Sequence, residues 1–335
     1  MKRLMTGLMV LGMLCAGCGK EAPPSETPGD GAGESASTES LQIAVIPKGT
    51  THEFWKSIHA GAVKASQELD VEIFWVGPEK EDDRDQQIKV VQNFISRGVD
   101  AIVLAPLDNV ALARPVETAV QRKIPVIVID SGLNSEAHSS FVATDNKEGG
   151  RMGARRLAEI MGGKGKAILL RYAEGSASTE NREEGFLEEI ANHPGIEIIS
   201  DNQYAGATKE SALQMSQNLL NKFPEVEGIF CPNESSAFGM MRALQNANKA
   251  GQVQFVGFDT SEALVAGLEK GDIMGLVSQD PFDMGYQGVK TAVAVIRGET
   301  VDAKIATRLE MITKDNMNTP EIQALIKPDL DQWLK

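Results

Sequence analysis

Cysteine and histidine are scarce in these 335 residues: there are three of the first and four of the second, and aromatics make up only 5%. Cys15 and Cys18 lie at the extreme N-terminus, which leaves Cys231 alone inside the apolar run 228–231. One thiol can form neither an intramolecular disulfide nor a thiolate metal site, so Cys231 reads as a small core residue. The histidines have no paired spacing, and no metal site is expected. His-Glu-x-x-His, a Gly-x-Ser-x-Gly elbow and a phosphate loop are all missing; the glycine cluster at 162–166 lacks the loop's spacing and its Ser/Thr. Enzymatic turnover and a cofactor are therefore not expected. Beyond the N-terminus no apolar stretch approaches the roughly 18 residues of a membrane span. Positive charge is also in deficit, 33 Lys+Arg against 47 Asp+Glu for a net −14, which argues against nucleic acid and anionic surfaces as partners. Neutral ligands fit this balance.

The N-terminus reads as an export signal. Lys2 and Arg3 precede the apolar segment 4–14, and Ala16 and Gly17 are the small residues before a cleavage point, so residues 1–17 form the signal peptide. Cys15-Ala16-Gly17-Cys18 resembles the lipobox of bacterial lipoproteins, with Cys15 where Leu is usual. That resemblance implies lipidation at Cys18 and a membrane attachment through the anchor alone, on an exported chain held in the periplasm or at the cell surface. Residues 18–40 follow as a tether: positions 19–40 hold four Gly, three Pro, four Ser and two Thr, with no aromatic or branched aliphatic side chain to bury.

From residue 41 short branched-aliphatic runs alternate with amphipathic stretches. The runs at 41–46, 71–76, 101–104, 126–129, 167–170, 196–199, 228–231, 254–258 and 275–278 are separated in most cases by helical periodicity, as at 53–69, 85–97, 109–122, 147–161 and 208–222. Apolar strands joined by helical crossovers make parallel sheets covered on both faces. The fold class is α/β, with two doubly wound parallel-sheet lobes, because the rhythm before Ser131 repeats from Ala167 to Asp259.

In such sheets ligands bind beyond the carboxyl ends of the strands. Phe54 and Trp55 stand after the first run, Asp130 and Ser131 after 126–129, Asn233 after 228–231, Asp259 after 254–258 and Gln279 after 275–278. Either aromatic alone would serve equally to pack a helix on its sheet, whereas two adjacent ones suggest a platform. A sugar offers an apolar face for aromatics and a rim of hydroxyls for carboxylates and amides. Asp130 and Asp259 have capping of the following segment as an alternative role, and Arg182, among Glu180, Glu183 and Glu184, has a solvated salt bridge. Asp145 and Asn146 are assigned to capping the helix that follows them. The last segment, 319–333, reads as a packing appendage with no ligand role.

Thr51-His52-Glu53-Phe54-Trp55, the 126–130 strand, Ala143-Thr144-Asp145-Asn146, Glu174-Gly175-Ser176-Ala177-Ser178 with Arg182-Glu183-Glu184-Gly185-Phe186, Cys231-Pro232-Asn233-Glu234, Val256-Gly257-Phe258-Asp259 and Ser278-Gln279-Asp280-Pro281 occur in one order over about 270 residues. In these seven pieces the chain resembles the periplasmic sugar-binding proteins of the ribose-binding type, the solute receptors of ABC importers. The resemblance implies that Phe54 and Trp55 stack on the ligand, that Asp130, Arg182, Asn233, Asp259 and Gln279 hydrogen-bond its hydroxyls, and that His52 contacts it where Asn is usual. Ser131 stands where the ribose receptors carry Arg, and Ala207 where they carry the aromatic that closes the sugar's other face. These departures point away from ribose and toward a bulkier ligand, with Tyr172 or Tyr204 as the replacement wall.

The family pattern further implies a first lobe of 41–144 plus 280–309, a second of 145–279 plus 310–335, and a three-segment hinge by which the lobes close on a neutral sugar or polyol. The implied partners are an ABC permease and its ATPase, engaged by a monomer; the alternative is a tethered sugar receptor for a sensor kinase or chemoreceptor.

Overall fold

A computed structural model describes residues 40–334. Cys18 and nearly all of the tether lie outside the described residues. In chain order the elements of the first half are β1 (Gln42–Ile46), α1 (Glu53–Leu69), β2 (Glu72–Trp75), α2 (Arg84–Arg97), β3 (Ala101–Leu104), α3 (Ala113–Gln121), β4 (Val126–Ile129) and β5 (Ser140–Ala143). The second half contains α4 (Asn146–Ile160), β6 (Lys164–Arg171), α5 (Ala177–Ile190), β7 (Gly195–Tyr204), α6 (Lys209–Lys222), β8 (Gly228–Phe230), α7 (Glu234–Asn246), β9 (Gln254–Phe258), α8 (Glu262–Lys270) and β10 (Gly275–Gln279). The chain ends with α9 (Pro281–Ile296), β11 (Lys304–Ala306), β12 (Leu309–Ile312) and α10 (Pro320–Ile326).

The apolar runs become the centres of two six-stranded sheets, ordered β11-β5-β4-β3-β1-β2 and β12-β10-β9-β8-β6-β7. Ile43, Val103, Ile127, Phe230 and Val256 are buried to the last few per cent, as strands covered on both faces require. The first sheet is parallel throughout; in the second, β12 runs antiparallel beside β10. The doubly wound α/β architecture is thus present twice. β5, β11 and β12 were not legible as strands, because they are short and carry polar residues such as Ser140, Lys304 and Glu310.

The chain passes from one sheet to the other after β5, after β10 and between β11 and β12, where Thr144 Oγ1 and Thr307 Oγ1 lie 3.2 Å apart. Leu309, which the sequence reading gave to the first lobe, begins β12 of the second sheet.

In each lobe a helix pair meets through reciprocal glycines. A Cβ at Gly61 of α1 would lie 1.9 Å from the Phe282 carbonyl oxygen of α9, and a Cβ at Gly285 of α9 would lie 2.0 Å from that of Ile58. The same reciprocal contact recurs in the other lobe between α4 and α5: Gly150 faces the carbonyl of Arg182 (1.9 Å), and Gly185 faces that of Lys147 (2.0 Å). Only residues without a Cβ allow backbones to approach this closely.

Candidate functional site

The strand ends of both sheets converge on one cleft. Eight of the nine candidate residues, His52, Phe54, Trp55, Asp130, Arg182, Asn233, Asp259 and Gln279, line a single cavity in it. Ser131 does not; its hydroxyl accepts the Ser178 N–H from across the cleft at 3.0 Å.

Asp130 and Asp259 are equivalent: each ends the third strand of its sheet and each holds left-handed backbone, with φ of 61° and 70°. Asp tolerates this region better than most residues, and strain of this kind tends to collect at functional sites. Neither side chain caps the segment that follows. Lys48 Nζ stands 2.9 Å from Asp130 Oδ2, and the pair is almost wholly buried. The angle is not that of a hydrogen bond, so Oδ2 keeps an unused acceptor. Lys48 also donates to Ser176 and Ser178 of the other lobe (3.3 and 3.1 Å). A cation thus reaches Asp130 from β1 although Ser131 is not an arginine.

Asp259 accepts the Glu234 N–H (2.9 Å) and Gln279 Nε2 (2.8 Å). Burial drives its pKa up, and the Arg182 charge and these hydrogen bonds only partly reverse that, leaving it at about 6. Arg182 is 2% exposed, which excludes a solvated salt bridge. Its guanidinium donates to Asn146 Oδ1 (2.8 Å), the Pro232 carbonyl (2.9 Å) and Gln279 Oε1 (3.1 Å), and lies 3.9 Å from the centre of the Phe258 ring. Burial lowers its pKa despite the surrounding carboxylates.

Asn146 is not a cap. Asp145 alone caps α4, accepting the Glu148 N–H, while Asn146 holds Arg182 and donates to the Asp130 carbonyl (3.3 Å). Asn233, in contrast, is a cap: it and Ser236 form the capping box of α7, so its Oδ1 is already engaged within its own helix.

Phe54 and Trp55 meet edge to face, centroids 4.9 Å apart at 84°. They form a right-angled corner rather than one flat shelf. Trp55 belongs to the first lobe's core, and its indole N–H donates to Glu81 Oε1 at 2.7 Å. His52 Nδ1 stands 2.6 Å from the same oxygen, and Tyr172 of the opposite lobe donates its hydroxyl to Oε2 at 2.8 Å. Burial would raise the Glu81 pKa, but His52, Lys48 and the Trp55 hydrogen bond hold it at about 2. Burial alone would lower that of His52, and the Glu81 carboxylate raises it overall. Of the two tyrosines, Tyr172 is buried and lines the cavity, whereas Tyr204 is 36% exposed and does not line it.

Three helices that point their N-termini into the cleft lack a side-chain cap of their own: α1 behind His52, α5 behind Ser176 and α8 behind Ser261. Each receives its acceptor from the opposing lobe. Glu234 accepts the Phe54 N–H (3.2 Å), Ser131 that of Ser178 (3.0 Å) and Glu53 that of Glu262 (2.8 Å). With these contacts made, and with Lys48 reaching across the middle, the cleft cavity holds only about 30 Å³, room for roughly two waters. A cavity of that size has no room for a sugar ring.

Residues 43–300 match the family described as Periplasmic binding protein domain. The chain belongs to that family. It is 31% identical to the ribose import binding protein RbsB of Salmonella typhimurium over 272 residues, which is 81% of this chain and 90% of that one. A carbohydrate transporter solute-binding protein of Agrobacterium radiobacter, solved with D-arabinose, superposes with a TM-score of 0.84 at 35% identity, over 87% of this chain and all of that one. An ABC transporter solute-binding protein of Agrobacterium vitis, solved with D-fucose, gives 0.83 at 33% identity, over 85% and 99%. This is a periplasmic sugar-binding protein of the ribose-binding type, in a family of ABC transporter solute-binding proteins.

The sequence reading missed Lys48, Glu81, Asn146, Ser178 and Glu234. Glu81 sits in the acidic run 79–85, which looks like a solvated loop, and carries no signal of its burial. Lys48 had one: it lies four residues before His52 on the same strand-to-helix corner.

Proposed function

We propose that this binding protein captures a neutral monosaccharide or polyol other than ribose for an ABC importer, delivering the closed form to a permease and its ATPase. The convergence of Asp130 from one lobe with Arg182, Asp259 and Gln279 from the other on one buried cavity carries this reading. Asp130 Oδ2 retains acceptor capacity there, which a ligand hydroxyl can fill. His52, Phe54, Trp55 and Asn233 complete the contacts, and Ser131 acts only through Ser178. A ligand touching both lobes has more contacts in the closed form, and that difference in affinity shifts the hinge equilibrium. The protein acts as a monomer, and lipid on Cys18 holds it at the membrane.

The decisive experiment is a thermal-shift screen with D-allose, D-arabinose, D-fucose, D-tagatose, xylitol and D-ribose, followed by calorimetry. At least one compound other than ribose should stabilise the protein, and Asp259→Ala should abolish its binding. No stabilisation by any of a broad sugar and polyol panel overturns the reading. Loss of uptake of the labelled sugar in a deletion strain distinguishes transport from signalling, and mass spectrometry of membrane-extracted protein reads lipidation at Cys18.

A further inference from the structure

The cleft has a second compartment. Phe54, Glu234, Asp259 and Gln279 line both compartments, and on the far side the second continues beneath the C-terminal segment, where Leu325, Ile326, Pro328 and Leu330 cover it. It holds about 70 Å³, against about 30 Å³ in the cleft cavity, or room for about five waters.

Two hydroxyls in this compartment have no partner. Ser57 Oγ and Ser261 Oγ are buried, on residues 6% and 4% exposed, and neither makes a hydrogen bond. Both occupy positions that ordinarily satisfy a serine locally. Ser57 lies within α1, where the carbonyl four residues back is the usual acceptor. Ser261 is the N-cap of α8, yet its hydroxyl accepts no N–H of the first turn, and the side-chain acceptor there is Glu53 of the other lobe, on the Glu262 N–H. Buried polar atoms without partners are uncommon, and two on one cavity wall, contributed by opposite lobes, mark a place that takes a hydrogen-bonding group.

The chemistry of that group follows from the walls. The carboxylates here have their charge paired or hydrogen-bonded: Glu53 on the Glu262 N–H, Glu234 beside Lys209 and on the Phe54 N–H, with Oε1 keeping an acceptor free as Asp130 Oδ2 does, and Asp259 on Gln279 and the Glu234 N–H. They leave no free charge to pair with a cation and repel an anion. What remains is two neutral hydroxyls and one acceptor oxygen of Glu234 under an apolar roof, which suits one short substituent with a carbon stem and a hydroxyl tip.

We propose that this compartment is a subsite for an exocyclic hydroxymethyl group of the bound sugar, so that the protein discriminates hexoses from the matching pentoses or deoxy sugars. The proposal rests on the sugar-binding reading above and assigns the tail a role in it.

Two matched pairs test it: D-allose against D-ribose, which differ by the hydroxymethyl group, and D-galactose against D-fucose, which differ by its hydroxyl. Calorimetry on the wild type should show the hydroxymethyl-bearing member of at least one pair binding about tenfold more tightly. The Ser57→Ala/Ser261→Ala double variant should bring that pair within about twofold while its weaker member keeps its affinity. Ser261→Ala removes no cap bond, so the fold is retained, and the melting temperature checks this. A wild-type preference that survives unchanged in the double variant, or equal affinities within both pairs, leaves a compartment filled by water only and overturns the subsite without touching the sugar reading. Failure of all four sugars and of the wider panel overturns both.

Discussion

Tyr172 in one lobe donates its hydroxyl to Glu81 in the other across 2.8 Å, while His52 and Trp55 hold the same carboxylate from its own side. On the proposed closing motion this bond forms only in the shut cleft, and there it would favour closure without reading the ligand. Tyr172→Phe leaves Glu81 Oε2 buried without a donor, at a cost of about 1–3 kcal/mol to the closed form. Small-angle scattering should show a larger radius of gyration for this variant than for the wild type at the same subsaturating sugar concentration. An unchanged scattering curve and unchanged affinity would deny the bond any part in closure.

The His52–Glu81 pair should have a pH window. Glu81 is depressed to about 2 from 4.5, so its contribution is complete above 4.5 and disappears as pH falls through about 2. His52 is raised from 6.5, so its share is complete below 6.5 and disappears as pH rises through the higher folded value. The pair therefore stabilises most between about 4.5 and 6.5. The melting-temperature difference between wild type and Glu81→Gln should peak in that interval and shrink on both sides. Asp259 acts in the opposite sense: its folded form keeps a proton that the unfolded chain loses above 3.8, so its contribution falls as pH rises toward about 6 and is level beyond.

Arg182 holds three acceptors at once, and Arg182→Met would leave Asn146, Gln279 and the Pro232 carbonyl unpaired beside the Asp259 carboxylate. A loss of about 3–5 kcal/mol in chemical denaturation is expected, together with loss of sugar binding. Arg182→Lys should not rescue binding, because an ammonium cannot reproduce the planar fork.

The paired glycines offer a cleaner perturbation. Gly150→Ala and Gly61→Ala each place a methyl group 1.9 Å from a backbone oxygen and should each destabilise by at least about 1–3 kcal/mol. Only Gly150 abuts Arg182. Gly150→Ala should therefore weaken sugar affinity as well, and Gly61→Ala should affect stability far more than affinity. Calorimetry on the two variants makes the comparison.

Asn233→Ala should affect both properties. Loss of the α7 capping box costs about 1 kcal/mol, so the melting temperature of the sugar-free protein should drop along with affinity. The sequence analysis gives Asn233 only as a ligand contact, and its capping of α7 emerges from the structure.

Sheets and most helices were legible because fully buried parallel strands write themselves as uninterrupted Val, Ile and Leu runs such as 126–129. The short edge strands β11 and β12 do not: they borrow their pairing from a neighbour and carry no apolar run, whereas the opposite edges, β2 and β7, do. At the site, residues directly after a strand end were legible, since the fold delivers those positions to the cleft. What could not be read were partnerships across the gap. Asn146 looks like a cap until Arg182, 36 residues away, is seen to claim its oxygen, and Glu81 looks solvated until three side chains from two lobes converge on it.

The exchange of helix caps between lobes separates grip from taste. If the lobes close as proposed, the amides of Phe54, Ser178 and Glu262 trade hydration for Glu234, Ser131 and Glu53, and that trade is the same whatever lies inside. Every guest receives the identical bonus, so none of it can favour one guest over another. Preference has to arise from the few polar atoms the closure leaves unclaimed, and redesigning the receptor for a new compound can leave its biting motion untouched.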